Sequence, residues 1–190
     1  MKLKKSANIL SIIFAATFLV SCGSSDDSTE VDGLPTYIVN VESTPHYFGV
    51  DSDINIDAVA QVQNGTDTVA SDIYGFEYEF GTSYELRVWQ LEIAASDSSS
   101  GISTELVEVI SATPDAIGTS YVYNEVTLEG NPFTANEQTA GVYAFYQYEF
   151  LCAENVDCDG LVAIADSGGL VSVEFEYTGG EVPITLVWWN

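Results

Sequence analysis

Residues Glu154 to Asp166 read ENVDCDGLVAIAD, and their oxygens are spaced as a calcium loop spaces them. Counted from Asn155, the ligand positions fall on Asn155, Asp157, Asp159, the Leu161 carbonyl and Asp166, with Gly160 sixth, where the helix–loop–helix calcium site needs its sharp turn. Asn in the first position and Asp in the twelfth weaken the match, because a shorter carboxylate is a less usual bidentate ligand. A second reading uses the same stretch. Cys152 and Cys158 are an even pair, six positions apart, and a bridge between them would close a tight loop. If residues 142–152 and 158–165 then pair as a hairpin, Asp159 and Asp166 lie about 23 Å apart at ~3.3 Å per residue and cannot share an ion. The apolar run LVAIA and the turn signal DSGG after it favour the hairpin. What remains of calcium is a weak site at the hairpin tip, on Asp157 and Asp159 with Asn155 and water, in the millimolar range of extracellular modules. No other cofactor is expected.

Other polar constellations carry less. In DSDINID, residues 51–57, Asp51, Asp53, Asn55 and Asp57 would share one strand face opposite Ile54 and Ile56, and read as a solvated acidic face. Glu77 and Glu79 repeat that pattern. Arg87 should pair with Glu85 or with a cross-strand carboxylate. His46 has no cysteine or histidine companion for zinc. There is no GxSxG elbow, no His-paired cysteine nucleophile and no glycine-rich phosphate loop. Any two of the 29 acidic residues could be named as a glycosidase pair, so that signal has no specificity. No catalytic residue is assigned.

The elements that must hold these residues are strands. YIVNVES (37–43), DINIDAVAQVQ (53–63), FEYEFG (76–81), SYELRVWQLEI (83–93) and TELVEVI (104–110) are β-branched, aromatic and mostly alternating. The turn clusters are NGT (64–66) and SDSSSG (96–101). SATPDAIG (111–118) marks a boundary. A second set follows at 121–128, 141–152, 160–165, 170–177 and 184–189. Strand 141–152 has aromatics on both faces and reads as a central strand; a sugar-binding aromatic strip is the rarer interpretation. Trp188 and Trp189 should point to opposite faces. FEYEFGTSYELRVW (76–89) and FEYTGGEVPITLVW (175–188) agree at six positions and raise the question of a duplicated hairpin.

One stretch carries a resemblance. Ile73, Gly75-Phe76, Tyr78, Gly81, Tyr84, Leu86, Arg87 and Val88, followed after a polar loop by LVEVI (106–110), resemble the signature of the family catalogued as domain of unknown function 4377. The likeness covers roughly residues 37–112. It implies an envelope-associated β domain and no particular activity. A cysteine pair that family members often carry upstream of this motif is absent here.

The N-terminus is a targeting segment. Lys2, Lys4 and Lys5 precede the apolar stretch 7–20, which is short for a membrane span. LVSC, residues 19–22, resembles a bacterial lipobox, so Cys22 is expected to be lipidated after removal of 1–21. Gly23 rather than aspartate after it points to the outer membrane. Residues 22–33 read as an acidic tether, unable to bury a core. Cleavage leaves Arg87 alone against all 29 acids, a net charge of −28. Nucleic acid is excluded as a partner, because no basic footprint exists. Disorder is also excluded, since 46% of residues are hydrophobic and 3 Trp, 11 Tyr and 9 Phe supply a core.

The sequence therefore predicts an all-β protein with two small antiparallel domains, barrel or sandwich, at 34–112 and 118–190. They follow a lipoprotein signal peptide and a flexible tether. The expected role is binding or structural, in the envelope, with a protein or glycan partner. The alternative is a carboxylate-dependent enzyme such as a glycoside hydrolase.

Overall fold

The computed structural model describes residues 30–31, 34–48, 55–63, 65–93 and 101–190. The signal peptide, Cys22, most of the tether, Asp51 and Asp53 lie outside the described residues. In chain order the strands are β1 (Glu30–Val31), β2 (Leu34–Val41), β3 (His46–Phe48), β4 (Asn55–Asp57), β5 (Val59–Val62), β6 (Thr68–Val69), β7 (Ile73–Tyr74), β8 (Thr82–Ile93) and β9 (Gly101–Pro114). The second half supplies β10 (Ser120–Thr127), β11 (Phe133–Ala135), β12 (Val142–Phe145), β13 (Tyr148–Cys152), the short helix α1 (Cys158–Ala163), β14 (Leu170–Tyr177) and β15 (Ile184–Trp189). The protein is all-β apart from α1 and a 3-10 turn at Ala70–Asp72.

The first sheet runs β6-β5-β2-β8-β9-β7, with β1 paired to β2. Its two edge strands, β6 and β7, are joined by the single turn Ala70–Asp72. That short link holds the edges together, so the sheet is nearly a closed barrel, and closure removes exposed edges. Alternation aims Val39 and Val41 of β2 inward, opposite Val62 and Ala60 of β5 and opposite Leu86 and Tyr84 of β8. The interior is filled by small and branched residues: Val39, Val41, Ala58, Ala60, Val62, Ala70, Ile73, Leu86 and Val88. On β9 the pairing with β8 shifts at Glu85/Leu86 and again at Arg87/Val88. Extra residues there, Val107 and Ile110, bend the strand, and the end of β9 from Glu108 to Pro114 is exposed throughout.

The second sheet runs β10-β14-β15-β13-β12-β11. All its pairs are antiparallel except β13 with β15. Tyr121, Tyr123, Val171, Val173, Phe175, Tyr177, Ile184 and Leu186 face inward with Phe133, Phe145 and Phe150. This sheet is a half-barrel, and its open side is filled partly from the other half. Phe80 lies with its ring centroid 4.9 Å from Tyr121 and 5.4 Å from Tyr148. Ile56 is fully buried in the same cluster. The Tyr123 hydroxyl donates to the Pro45 carbonyl at 2.8 Å, the Thr127 amide donates to the Tyr47 hydroxyl at 3.1 Å, and the Gln147 amide donates to the Ile56 carbonyl.

Several expectations are corrected. FEYEFG (76–81) is not a strand but a loop whose Tyr78 and Phe80 side chains turn into the second core, while Phe76 packs on the first. Residues 141–152 are not one strand. The chain reverses at Tyr146-Gln147, with Tyr146 in the left-handed region at φ 53°, and Phe145 pairs with Tyr148. Residues 158–163 are helix, not a hairpin strand. The stretches 76–89 and 175–188 fold differently: a loop entering β8 in one, a β14–β15 hairpin in the other.

Candidate ligand-binding cleft

The Cys152–Cys158 disulfide is present, with Cα atoms 6.2 Å apart. It closes the loop that contains Asn155, a residue in the left-handed region at φ 69°, which asparagine tolerates better than most side chains. Beyond it the chain turns helical because Asp157 caps α1: its carboxylate accepts the Gly160 amide at 2.8 Å. A Cβ at position 160 would lie 2.3 Å from that carboxylate, so the cap requires glycine there. The signal for this helix was legible as Asp157 before a second acid, Asp159, in the first turn. Strand-like LVAIA concealed it.

The two acidic side chains at this loop are used structurally. Asp159 accepts the Tyr143 hydroxyl at 2.9 Å, and that hydrogen bond holds the phenol above its ordinary pKa. The Asp157 carbonyl accepts the Trp189 indole N–H at 3.0 Å. Asp166 is exposed in the turn after α1. Among the described residues no group of three or more His, Cys, Asp or Glu is placed to hold a metal ion. The calcium reading of Asn155, Asp157 and Asp159 therefore gains no geometric support.

The other sequence candidates also find their places. Arg87 Nε donates to Glu108 Oε1 at 2.8 Å, directly across the β8–β9 ladder, where the sequence pointed first to Glu85. His46 contacts Glu42 at 2.6 Å. Asp57 is not on a solvated face. It is 1% exposed, accepts the Ala58 amide at 2.8 Å and accepts the Ser71 hydroxyl. The aromatic strip of 143–150 is packing: Phe145 and Phe150 are fully buried, and Tyr143 stacks on Phe150 at 5.5 Å. Trp189 packs on the second core, whereas Trp188 is exposed opposite Glu174.

The polar groups left over converge elsewhere. A cleft of about 410 Å³ opens over β5, β2 and β8, lined by Ile38, Asn40, Gln61, Val62, Gln63, Asp67 and Glu85. Strand register builds it. Asn40 sits between Gln61 of β5 and Glu85 of β8 as cross-strand neighbours. The three therefore form one row on the outer face, where odd-numbered Val39 and Val41 of β2 face inward. Gln63 extends the row by donating its backbone N–H to the Ile38 carbonyl at 2.9 Å. Asp67 closes one end, its carboxylate accepting the Val62 amide at 3.0 Å. Among the described residues the side chains of Asn40, Gln61, Gln63 and Glu85 have no hydrogen-bond partner.

A carboxamide offers two donors and a two-lone-pair acceptor, and a carboxylate offers acceptors only. The row thus presents donors and acceptors side by side, next to the apolar side chain of Ile38. No cation lines it. Sequence reasoning searched for carboxylates and missed these amides. The signal was present in YIVNV and AVAQVQ, where Asn40, Gln61 and Gln63 alternate with inward valines. Glu85 was singled out, but for a different role.

A second depression, about 440 Å³, is lined by Gly75, Phe76, Glu77, Tyr84, Leu106 and Val109. Its floor is the edge-to-face pair Phe76–Tyr84, with centroids 5.0 Å apart.

The fold defines an all-β protein built of a nearly closed barrel and a half-barrel, with a polar cleft on the barrel wall. No protein-family model, curated protein or solved structure matches the chain. Among the described residues no helix is long and apolar enough to cross a membrane.

Proposed function

We propose that the chain is a lipid-anchored protein of the bacterial cell envelope, held at the outer membrane through Cys22, and that it works by binding rather than by catalysis. The observation that carries the binding role is the cleft of Asn40, Gln61, Gln63, Asp67 and Glu85, whose amides and Glu85 carboxylate are uncommitted. The anchor rests on LVSC behind a lysine-rich n-region and an apolar stretch. The resemblance of residues 37–112 to an envelope family points the same way. An exported location also suits the Cys152–Cys158 disulfide. Acyl chains contribute about 0.8 kcal/mol per buried methylene, so more than one chain on Cys22 anchors firmly.

The test is fractionation of wild type and Cys22→Ser. Wild type should sediment with outer membranes and gain the mass of its lipid, and the variant should be unprocessed or soluble. A variant that still partitions with membranes at wild-type mass removes the lipoprotein reading.

One observation favours the enzymatic alternative: Asp67 and Glu85 line the same cleft, as a glycosidase would require of its two carboxyl groups. Glu85→Gln separates the two. A binding protein loses part of its affinity and shows no turnover in either form, and a hydrolase loses turnover by orders of magnitude while still binding.

A further inference from the structure

The chemistry of the cleft selects its ligand, and this inference rests on the binding role assigned above. Three classes of small ligand fit an exposed polar cleft: anions, organic cations and neutral polyhydroxylated molecules. Anions are disfavoured twice. No Lys or Arg lines the cleft, since Arg87, across the ladder from Ile38, is paired with Glu108, and the chain carries 29 acids, so the long-range field repels them. An organic cation such as a polyamine would use the Glu85 and Asp67 carboxylates, but it offers no acceptor to the carboxamide donors of Asn40, Gln61 and Gln63. Those N–H groups would be covered without partners, which costs free energy.

A hydroxyl both donates and accepts. Adjacent hydroxyls on a sugar ring present to a carboxamide the two complementary functions that it presents to them. They also donate to Glu85 and to the remaining lone pairs of Asp67. Ile38, on the same outer face of β2 as Asn40, supplies apolar contact for the C–H surface of the ring. The volume, about 410 Å³, lies within the range of small-molecule sites. We propose that the cleft over β5, β2 and β8 binds a neutral saccharide, with Asn40, Gln61 and Gln63 as the residues that read its hydroxyls and Glu85 as the principal acceptor.

The experiment uses the full lipidated protein in a detergent that carries no sugar headgroup. Titration calorimetry is run at fixed ionic strength with three soluble probes: neutral oligosaccharides from β-glucan and mannan, oligogalacturonate as the anionic comparator, and spermidine as the cationic one. The expected result is saturable binding of a neutral probe and none of oligogalacturonate. Asn40→Ala, Gln61→Ala and Gln63→Ala should each weaken it roughly three- to tenfold, with melting temperatures unchanged because all three side chains are exposed. Trp188→Ala is the second arm, since Trp188 is the exposed aromatic of the other sheet. It should leave affinity unchanged.

Binding lost in Trp188→Ala and kept in the cleft variants overturns the proposal, because the site is then an aromatic platform. Binding of spermidine or oligogalacturonate in preference to the neutral probes overturns the ligand class, as does failure of every neutral probe. None of these outcomes touches the anchoring role, which the Cys22→Ser fractionation tests separately.

Discussion

Raising the pH above 10 should dismantle the junction between the two halves before anything else in the molecule. Tyr78 and Tyr123 sit there with their hydroxyls donating to the Ser43 and Pro45 carbonyls. Burial, reinforced by neighbouring phenols, raises both well above the ordinary value of 10. The sign follows from that direction. In the unfolded chain the phenols ionise near pH 10, and in the folded chain they stay neutral far beyond it. Stability is therefore fully present below pH 10 and is lost as pH rises towards the folded values. At pH 11 an unfolded tyrosine is about nine-tenths ionised, so each phenol that remains neutral in the folded state costs ~1.4 kcal/mol of stability. The two together cost ~3 kcal/mol, a large part of a typical 5–15 kcal/mol. Tyr121, raised by burial and by its hydrogen bond to Asp115, and Tyr148, raised by burial, add further losses of the same sign. No lysine follows Lys5, so phenols dominate titration in this window. Urea melts from pH 8 to 11.5 at constant ionic strength, followed by tyrosinate absorbance at 295 nm, read both quantities at once. A fraction of the 11 tyrosines should ionise only as the fold is lost. Tyr78→Phe with Tyr123→Phe should flatten the dependence. A single absorbance wave at pH 10 with unchanged stability to pH 11.5 would refute the reasoning.

Other perturbations have definite expected outcomes. Replacing Cys152 and Cys158 by alanine opens a seven-residue loop and should cost ~2 kcal/mol on the chain-entropy account, read as a fall of about 5 °C in Tm; mass spectrometry without reductant should find no free thiol at either position of the native chain. Asp157→Ala removes the cap of α1 and should cost ~1 kcal/mol, and Gly160→Ala should cost at least as much by displacing the same carboxylate. Gly81→Ala places a Cβ 2.4 Å from the Tyr177 ring at a backbone φ of +81° and should destabilise by ~1–3 kcal/mol in thermal melts. Phe80→Ala leaves a cavity among Tyr121, Tyr123, Tyr148 and Phe175 and should cost ~3–5 kcal/mol by urea denaturation; a loss below 1 kcal/mol would mean that the second core is complete without it.

The sequence made the strands legible wherever one face is buried and the other wet. β2, β5, β14 and the inner part of β8 alternate cleanly, and their register follows from that pattern. It failed where a residue's environment is set by the other half of the chain. Tyr78 and Phe80 alternate with Glu77 and Glu79 as a strand would, yet the segment is a loop whose aromatics seek a remote core. Asp57 looked like one of a row of solvated acids. It is buried because Ala58 and Ser71 supply its hydrogen bonds, and nothing local announces Ser71. The reversal at Tyr146-Gln147 carries no glycine or asparagine at the left-handed position, so no turn signal marked it. Cys152 and Cys158 were legible as a bridge because Cys22, the third cysteine, sits in the lipobox-like LVSC and left them as a pair. The helix that the bridge begins was hidden by the apolar run LVAIA, which overlaps a six-residue segment where propensity is a weak guide.

The way the protein spends its side chains also constrains how it recognises anything. Most of its aromatic surface is consumed inside: Phe80, Phe133, Phe145, Phe150, Phe175, Tyr121 and Tyr123 are buried in one cluster. Among the described residues, stacking on a ligand is then left chiefly to Phe48, Tyr74 and Trp188, which lie on three different sheets. Several carboxylates are likewise committed, Asp57 and Asp157 to backbone amides and Asp159 to a phenol. The groups that remain free and adjacent are the outward amides of β2 and β5 with Glu85 beside them. A surface of this kind binds by matched hydrogen bonds whose net worth is about 1 kcal/mol each. Affinity for a single sugar unit should therefore be modest. A repeating neutral polymer, presented to many copies anchored in one membrane as proposed for Cys22, would gain by multivalency what one cleft lacks.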